Sequence, residues 1–281
     1  MLTLITATLD AARHIEQAID SVPAVPSQAI HHIVIDGGSR DNTVEICRKF
    51  SQIETLVVPG CSIYEAWNIG VERARGDVIM FLNADDELGE NAADIVARSF
   101  ELHPEADIVA GRAVMSDRDA PQLPPRVLVA APGARLDVEQ LALGVPAINA
   151  MAFRRTLFER HGAFETVYRV AGDRAFLLRL ALSAAAPVVA STDAVLYRYY
   201  IHAGSLTLKR GLEQRLRIAR DHMALANRLL PQHSAGQAAR VLRFWRRREA
   251  AVGALRCAVA GRPRAAWQFA GELFRSSVRR G

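Results

Sequence analysis

The chain has 281 residues, 50% hydrophobic and 23% charged, with 35 Lys and Arg against 30 Asp and Glu. This composition excludes bulk disorder and supplies enough apolar residues for one large core. Three scattered cysteines, Cys47, Cys61 and Cys257, are too few for a disulfide framework or a closed zinc site and fit a reducing compartment. No apolar run is long enough to span a bilayer, and the first run, which stops at Asp10 with no basic residue before it, reads as a strand rather than a leader.

Charge divides the chain. Residues 1–208 carry 18 basic and 26 acidic residues, whereas 209–281 carry 17 basic and 4 acidic. An acidic body of mixed strand and helix is therefore expected to precede a basic helical tail.

Within the body, strand and helix signals alternate. Residues 2–8 form an apolar, β-branched run, and 12–22 follow at helical spacing. A second strand ends at Asp36, and a helix over 43–50 is capped by Asp41 or Asn42. Residues 54–59 form a third strand, and 64–74 a helix carrying Ala66, Trp67, Ile69 and Val71. The fourth strand, 77–83, precedes a helix over 91–102 and a fifth strand over 106–115. Residues 116–135 hold four of the twelve prolines and read as a linker or loop between two halves, about 1–115 and 136–208. Strands separated by helices imply a mostly parallel sheet, with ligands beyond the carboxyl ends of its strands.

Polar clusters fall at those ends. Thr6–Asp10 follows strand one. Asp36–Thr43 follows strand two, where glycines admit a ligand to the backbone and Asp36 and Asp41 can accept from a ribose or base; a turn with a helix cap has the same composition. Asn83–Glu87 follows strand four, where adjacent carboxylates repel unless a cation neutralises them. Mg²⁺ takes one or two carboxylates plus phosphate oxygens; a solvated acidic turn is the alternative, and Glu87 fits it best. Asp173 opens a helical run, as a cap or as a carboxylate placed to accept a proton. His202, Ser205 and Thr207 follow a strand over 194–200 and are candidates for phosphate contacts.

Five segments, in order, resemble family 2 inverting glycosyltransferases of the GT-A fold, a Rossmann-like, mostly parallel sheet flanked by helices. They are ITATLDAARHIEQAIDSV, IVIDGGSRDNTVEI, SIYEAWNIGVERARGDVIMFLNADDEL, MAFRRTLFERHGAFE and AGDRAFLLRL. The similarity is greatest to the branch acting in bacterial surface-polysaccharide or lipopolysaccharide synthesis, and it covers about residues 2–208. It implies a nucleotide pocket of Thr6, Thr8, Asp36, Gly38, Asp41 and Asn83. It implies Mn²⁺ or Mg²⁺ on Asp85 and Asp86, where the family carries Asp-x-Asp, and Asp173 as catalytic base. Tyr64, Asn68, Arg154 and His202 are expected in the donor or acceptor pocket, and 151–155 and 162–165 to frame the acceptor. The donor is expected to be a nucleotide-diphospho-sugar, UDP-linked, and the acceptor a glycan or lipid-linked glycan. The chain departs from the family pattern at Gly37, Asn83, Gly60–Ser62 and Gly172. A sugar-phosphate nucleotidyltransferase would want glycines in Thr6–Arg13, which has none. A non-catalytic nucleotide- or glycan-binding scaffold shares the fold and stays open.

The tail lies outside the resemblance. It reads as helices over about 212–230, 237–260 and 263–279, broken by Pro231 and Gly261–Pro263. Arg243, Arg246, Arg247 and Arg248 cluster beside Phe244 and Trp245. A basic helix with aromatic bulk fits an anionic membrane surface, as it fits packing on the acidic body. No nucleic-acid partner is expected. The location expected is cytoplasmic, peripheral on the inner face of the cytoplasmic membrane.

Overall fold

A computed structural model describes residues 1–23, 29–202 and 211–274. Strands β1 (Leu2–Thr8), β2 (Ile30–Asp36), β3 (Ile53–Val57) and β4 (Val78–Asn83) are parallel, in the order β3-β2-β1-β4. The interior positions of β1, β2 and β4 are buried on both faces, which is why they read as continuous apolar runs, whereas β3 at the edge is only partly buried. The register sets Thr8 beside Asp36 and Ala7 beside Asn83. The polar residues at the strand ends thus stand abreast on one edge.

Helices α1 (Ile15–Asp20), α2 (Thr43–Arg48) and α3 (Ile63–Arg73) connect these strands. Helix α1 is shorter than expected. Helix α3 begins where Ser62 and Glu65 form a capping box, with Glu65 N donating to Ser62 Oγ at 3.3 Å and Ser62 N to Glu65 Oε2 at 2.7 Å. The departure from the family pattern at Gly60–Ser62 is therefore a helix start.

The second half continues the same sheet. After β5 (Glu87–Leu88) and α4 (Ala92–Leu102) come β6 (Ile108–Asp117) and β7 (Arg126–Val129). Helix α5 (Val138–Leu143), a 3-10 turn at Ile148–Ala150, β8 (Met151–Arg154), α6 (Arg155–His161), α7 (Gly172–Ala181) and β9 (Val189–Ile201) complete it. Strand β8 enters antiparallel between β4 and β6, and β6 and β9 run parallel. The 116–135 stretch is not wholly a linker: β7 pairs with β6, Arg126 opposite Met115, and its prolines lie outside the strand.

The C-terminal segment forms α8 (Leu212–Leu229), α9 (Gly236–Val259) and α10 (Pro263–Phe274). Leu225, Leu229, Leu242 and Trp245 join the core of the body, and Trp245 is fully buried. A second cluster, including Leu216, Met223, Cys257 and Phe269, ties the three helices together. Arg246 is also buried, at 3% exposure. Glu165 pairs with Arg179 at 3.1 Å and with Arg228 of α8, fastening the helices to the body. No described helix is long and apolar enough to cross a membrane. Burial pushes the Cys47 thiol up to about 11, so it is no nucleophile.

Candidate functional site

The loops after β1, β2 and β3 are sewn together by hydrogen bonds. Gly37 N donates to Thr8 O at 2.8 Å, Val58 N to Asp36 O at 2.8 Å, and Gly60 N to Gly37 O at 2.9 Å. Asp10 N donates to Ser39 Oγ at 2.8 Å, and Arg40 N to Asp10 Oδ1 at 2.7 Å. Gly38 has a φ of +93° and would set a Cβ 3.1 Å from Pro59 Cα, so only glycine fits this crossing.

Several expected nucleotide residues build this frame. Asp36 is fully buried, and its Oδ1 accepts from Gly38 N at 2.9 Å and Ser39 N at 2.8 Å. Asp41 Oδ2 accepts from Ala12 N at 3.0 Å. The Thr6 hydroxyl bonds the buried His32 ring at 3.0 Å inside the sheet, so it does not reach the edge. Thr8 differs: its hydroxyl is buried, with no hydrogen-bond partner among the described residues.

The acidic loop after β4 separates its two aspartates. Asp86 is 4% exposed and turned inward. It accepts from Asn83 Nδ2 at 2.9 Å, Tyr197 Oη at 2.9 Å and Tyr200 N at 2.8 Å. Burial, then the neighbouring Asp85 charge, pushes its pKa up to about 7. Asp86 therefore clamps the loop to β9 and is not presented as a metal ligand. Tyr197 Oη also accepts from Asn83 N at 2.9 Å. Asp85 is the half-exposed member, at 31% side-chain exposure, with His202 Nε2 3.0 Å from its Oδ2. The His14 ring lies 4.7 Å from the His202 ring, and Arg118 Nη1 reaches His14 Nδ1 at 2.9 Å. Among the described residues no group of three His, Cys, Asp or Glu forms a metal cage. One carboxylate beside an imidazole instead fits a divalent ion that takes its remaining ligands from a diphosphate.

Asp173 sits in the first turn of α7, half-buried. Tyr64 Oη donates to its Oδ1 at 3.2 Å and Arg174 N at 2.7 Å. Burial raises its pKa, against the lowering effect of Arg174. Gly172 matters here: a Cβ would lie 2.7 Å from the Tyr64 ring, so any side chain displaces the tyrosine from Asp173. Helix α8 holds the approach, where Asp221 Oδ2 accepts from Arg169 N and Val170 N, both at 3.0 Å. Burial, then the Asp86 and Asp173 charges, raises the Tyr199 pKa. Tyr199 Oη donates to Asn149 Oδ1 at 2.9 Å.

Two expected pocket residues are positioned otherwise. Asn68 exchanges two hydrogen bonds with Phe164 N and O, at 2.8 and 2.9 Å, and so locks α3 to the 162–165 loop. Arg154 pairs with Val78 at the start of β4, the opposite end from Asn83, and donates to Ala106 O at 2.7 Å. Strand pairing thus removes Arg154 from the site. Ser205 and Thr207 lie outside the described residues. Tyr197, Tyr199, Arg118, His14 and Asp221 escaped the sequence reading; tyrosines on alternate positions of a strand were the one available signal.

A four-stranded parallel βα half, continued by an antiparallel insertion, defines the GT-A fold. The sequence model described as Glycosyl transferase family 2 matches residues 3–162, and the chain belongs to that family. It is 29% identical over 188 residues, 64% of this chain and 69% of the relative, to the PGL/p-HBAD biosynthesis glycosyltransferase of Mycobacterium bovis (strain BCG). In structure it resembles S. aureus TarS 1-349 in complex with UDP-GlcNAc, with a TM-score of 0.59 at 15% identity over 95% of this chain and 90% of that one. It spans 42% of the longer S. aureus TarS chain. The mannosyltransferase PcManGT from Pyrobaculum calidifontis, in complex with GDP-Man and Mn²⁺, gives 0.58 at 19% identity over 96% of this chain and 78% of that one. The chain is therefore a glycosyltransferase; at these identities the structural likenesses establish the fold.

Proposed function

We propose that the protein transfers a hexosyl group from a nucleotide-diphospho-sugar, UDP-linked, to a glycan or lipid-linked acceptor with inversion, in surface-polysaccharide assembly. The observation that carries this reading is the partly buried carboxylate of Asp173 in the first turn of α7, held by Tyr64 Oη at 3.2 Å and Arg174 N at 2.7 Å, in a chain whose parallel strands end on the half-exposed Asp85. Neighbours in complex with UDP-GlcNAc and with GDP-Man and Mn²⁺ support a nucleotide-sugar donor.

In this mechanism the three sewn loops receive the nucleotide. Asp85 would hold the divalent ion, with His202 at 3.0 Å from its carboxylate and the His14 ring 4.7 Å from that of His202. When bound, the ion neutralises charge on the leaving nucleoside diphosphate. Asp173 accepts the acceptor hydroxyl proton as that oxygen bonds to the anomeric carbon, and the diphosphate departs with the electron pair of the broken bond. No residue forms a covalent intermediate. Phe244, Leu255, Val259 and Trp267 are 57%, 65%, 83% and 78% exposed on the arginine-rich helices, which supports peripheral docking on an anionic membrane.

The test is a thermal-shift panel of UDP, GDP, CDP and dTDP, with and without Mn²⁺, on the wild type and Asp173→Asn. A metal-dependent shift for one nucleotide is expected in both proteins, with sugar transfer lost only in the variant. A variant that retains full turnover refutes Asp173 as the base.

A further inference from the structure

A cleft of about 690 Å³ opens between edge strand β7, helix α5 and helices α8 and α9. Five arginines line it: Arg126, Arg174, Arg215, Arg248 and Arg256. The lining contains one carboxylate, Glu249, which Arg248 already approaches at 3.5 Å and His222 at 3.6 Å. Arg174 is buried, and its guanidinium is spent on the carbonyls of Ala142 and Gly144 at 3.1 Å each and on that of Leu141. No described carboxylate lies within ion-pair distance of Arg126, Arg215 or Arg256. Guanidinium groups gathered at one cleft repel one another, and an entering anion relieves the repulsion.

The same cleft is apolar on another side. Val127, Val129 and Val145 line it and are 56%, 42% and 50% exposed. Strand β7 antiparallel to β6 brings Arg126 to the end of the sheet where Asn83 and Asp86 lie. Arg174, in the lining, directly follows Asp173 in the first turn of α7.

We infer that this cleft is the acceptor site and takes an anionic amphiphile, a phosphate or diphosphate carried on an apolar chain. The inference rests on the proposed role of Asp173. The arginines hold the anionic group, the valines receive the chain, and a sugar attached to the phosphate offers the hydroxyl that gives its proton to Asp173 as its oxygen bonds to the donor's anomeric carbon. A phosphorylated lipid and a soluble phosphate share the headgroup chemistry, and separate probes distinguish them.

The experiment is isothermal titration of the full chain with dodecyl phosphate, inorganic pyrophosphate and neutral dodecyl maltoside, each below its micellar concentration. Dodecyl phosphate is expected to bind most tightly, pyrophosphate more weakly and the maltoside not measurably. Arg215→Glu with Arg256→Glu should weaken dodecyl phosphate about tenfold or more and leave the metal-dependent UDP shift at its wild-type value. The milder Arg126→Gln should act in the same direction. Maltoside binding as tight as dodecyl phosphate, or charge reversal without effect, overturns the inference. Pyrophosphate binding as tight as dodecyl phosphate overturns its apolar half. If dodecyl phosphate binds through the arginines and no nucleotide produces a shift, the donor reading fails and the anion site stands.

Discussion

The hydroxyl of Tyr197 is the most economical place to test how the acidic loop is held. It is fully buried, accepts from Asn83 N at 2.9 Å and donates to Asp86 Oδ2 at 2.9 Å. Tyr197→Phe keeps the ring, so no large cavity opens. It leaves the Asn83 N–H without its acceptor and takes one of three donors from a buried carboxyl. A stranded buried polar group costs about 1–3 kcal/mol, and a lost hydrogen bond about 1 kcal/mol. The expected destabilisation is therefore about 2–4 kcal/mol, read as a lower urea midpoint at unchanged slope. The loop also carries Asp85, so the Mn²⁺-dependent part of the nucleotide shift should shrink more than the metal-independent part. Tyr200→Phe is the control: its hydroxyl meets the partly exposed Glu87 at 2.9 Å, and it should cost below about 1 kcal/mol. A Tyr197→Phe protein within 0.5 kcal/mol of wild type, with full metal dependence, would refute the clamp.

Gly172→Ala drives the Tyr64 ring off Asp173, so donor turnover should fall roughly 10- to 100-fold while UDP affinity holds; unchanged turnover would show that Tyr64 does not position the base. His32 is buried and neutral, with its pKa depressed from 6.5 to about 4 by burial, then by His31. The unfolded chain takes up this proton first, so the stabilisation is complete above pH 6.5 and is lost as pH falls through 4. Urea midpoints should fall by the equivalent of about 2–3 kcal/mol between pH 7 and 4.5, and His32→Gln should flatten that profile; identical slopes in the two proteins count against the assignment. Phe244→Ser with Trp267→Ser removes two exposed apolar side chains, which should weaken co-sedimentation with anionic vesicles about tenfold or more with little change in thermal stability. Equal sedimentation of variant and wild type would eliminate these helices as the membrane contact.

The sequence by itself determined the parallel half of the fold and the addresses of its polar clusters. Short β-branched runs separated by helical segments suit a sheet covered on both faces, and in a parallel sheet the residues after them fall on one edge. The positions of Asp85 and Asp173 were legible for that reason, since each follows a strong strand or opens a strong helix. Strand β7 was not legible, because prolines on both sides hide a short edge strand whose partner lies in β6. Burial within a cluster was equally invisible. Asp85 and Asp86 are interchangeable in composition, yet hydrogen bonds from Tyr197 and Tyr200, more than a hundred residues away, turn one inward and leave the other half-exposed. Arg154 stood in a family-like segment, and antiparallel pairing alone carried it to the far end of the sheet. The basic tail had no fixed reading as sequence, because charge does not say which face of a helix is covered. Tertiary packing decided it: Trp245 enters the main core, Asp221 grips the loop before Asp173, and arginines from two helices meet β7 around one cleft.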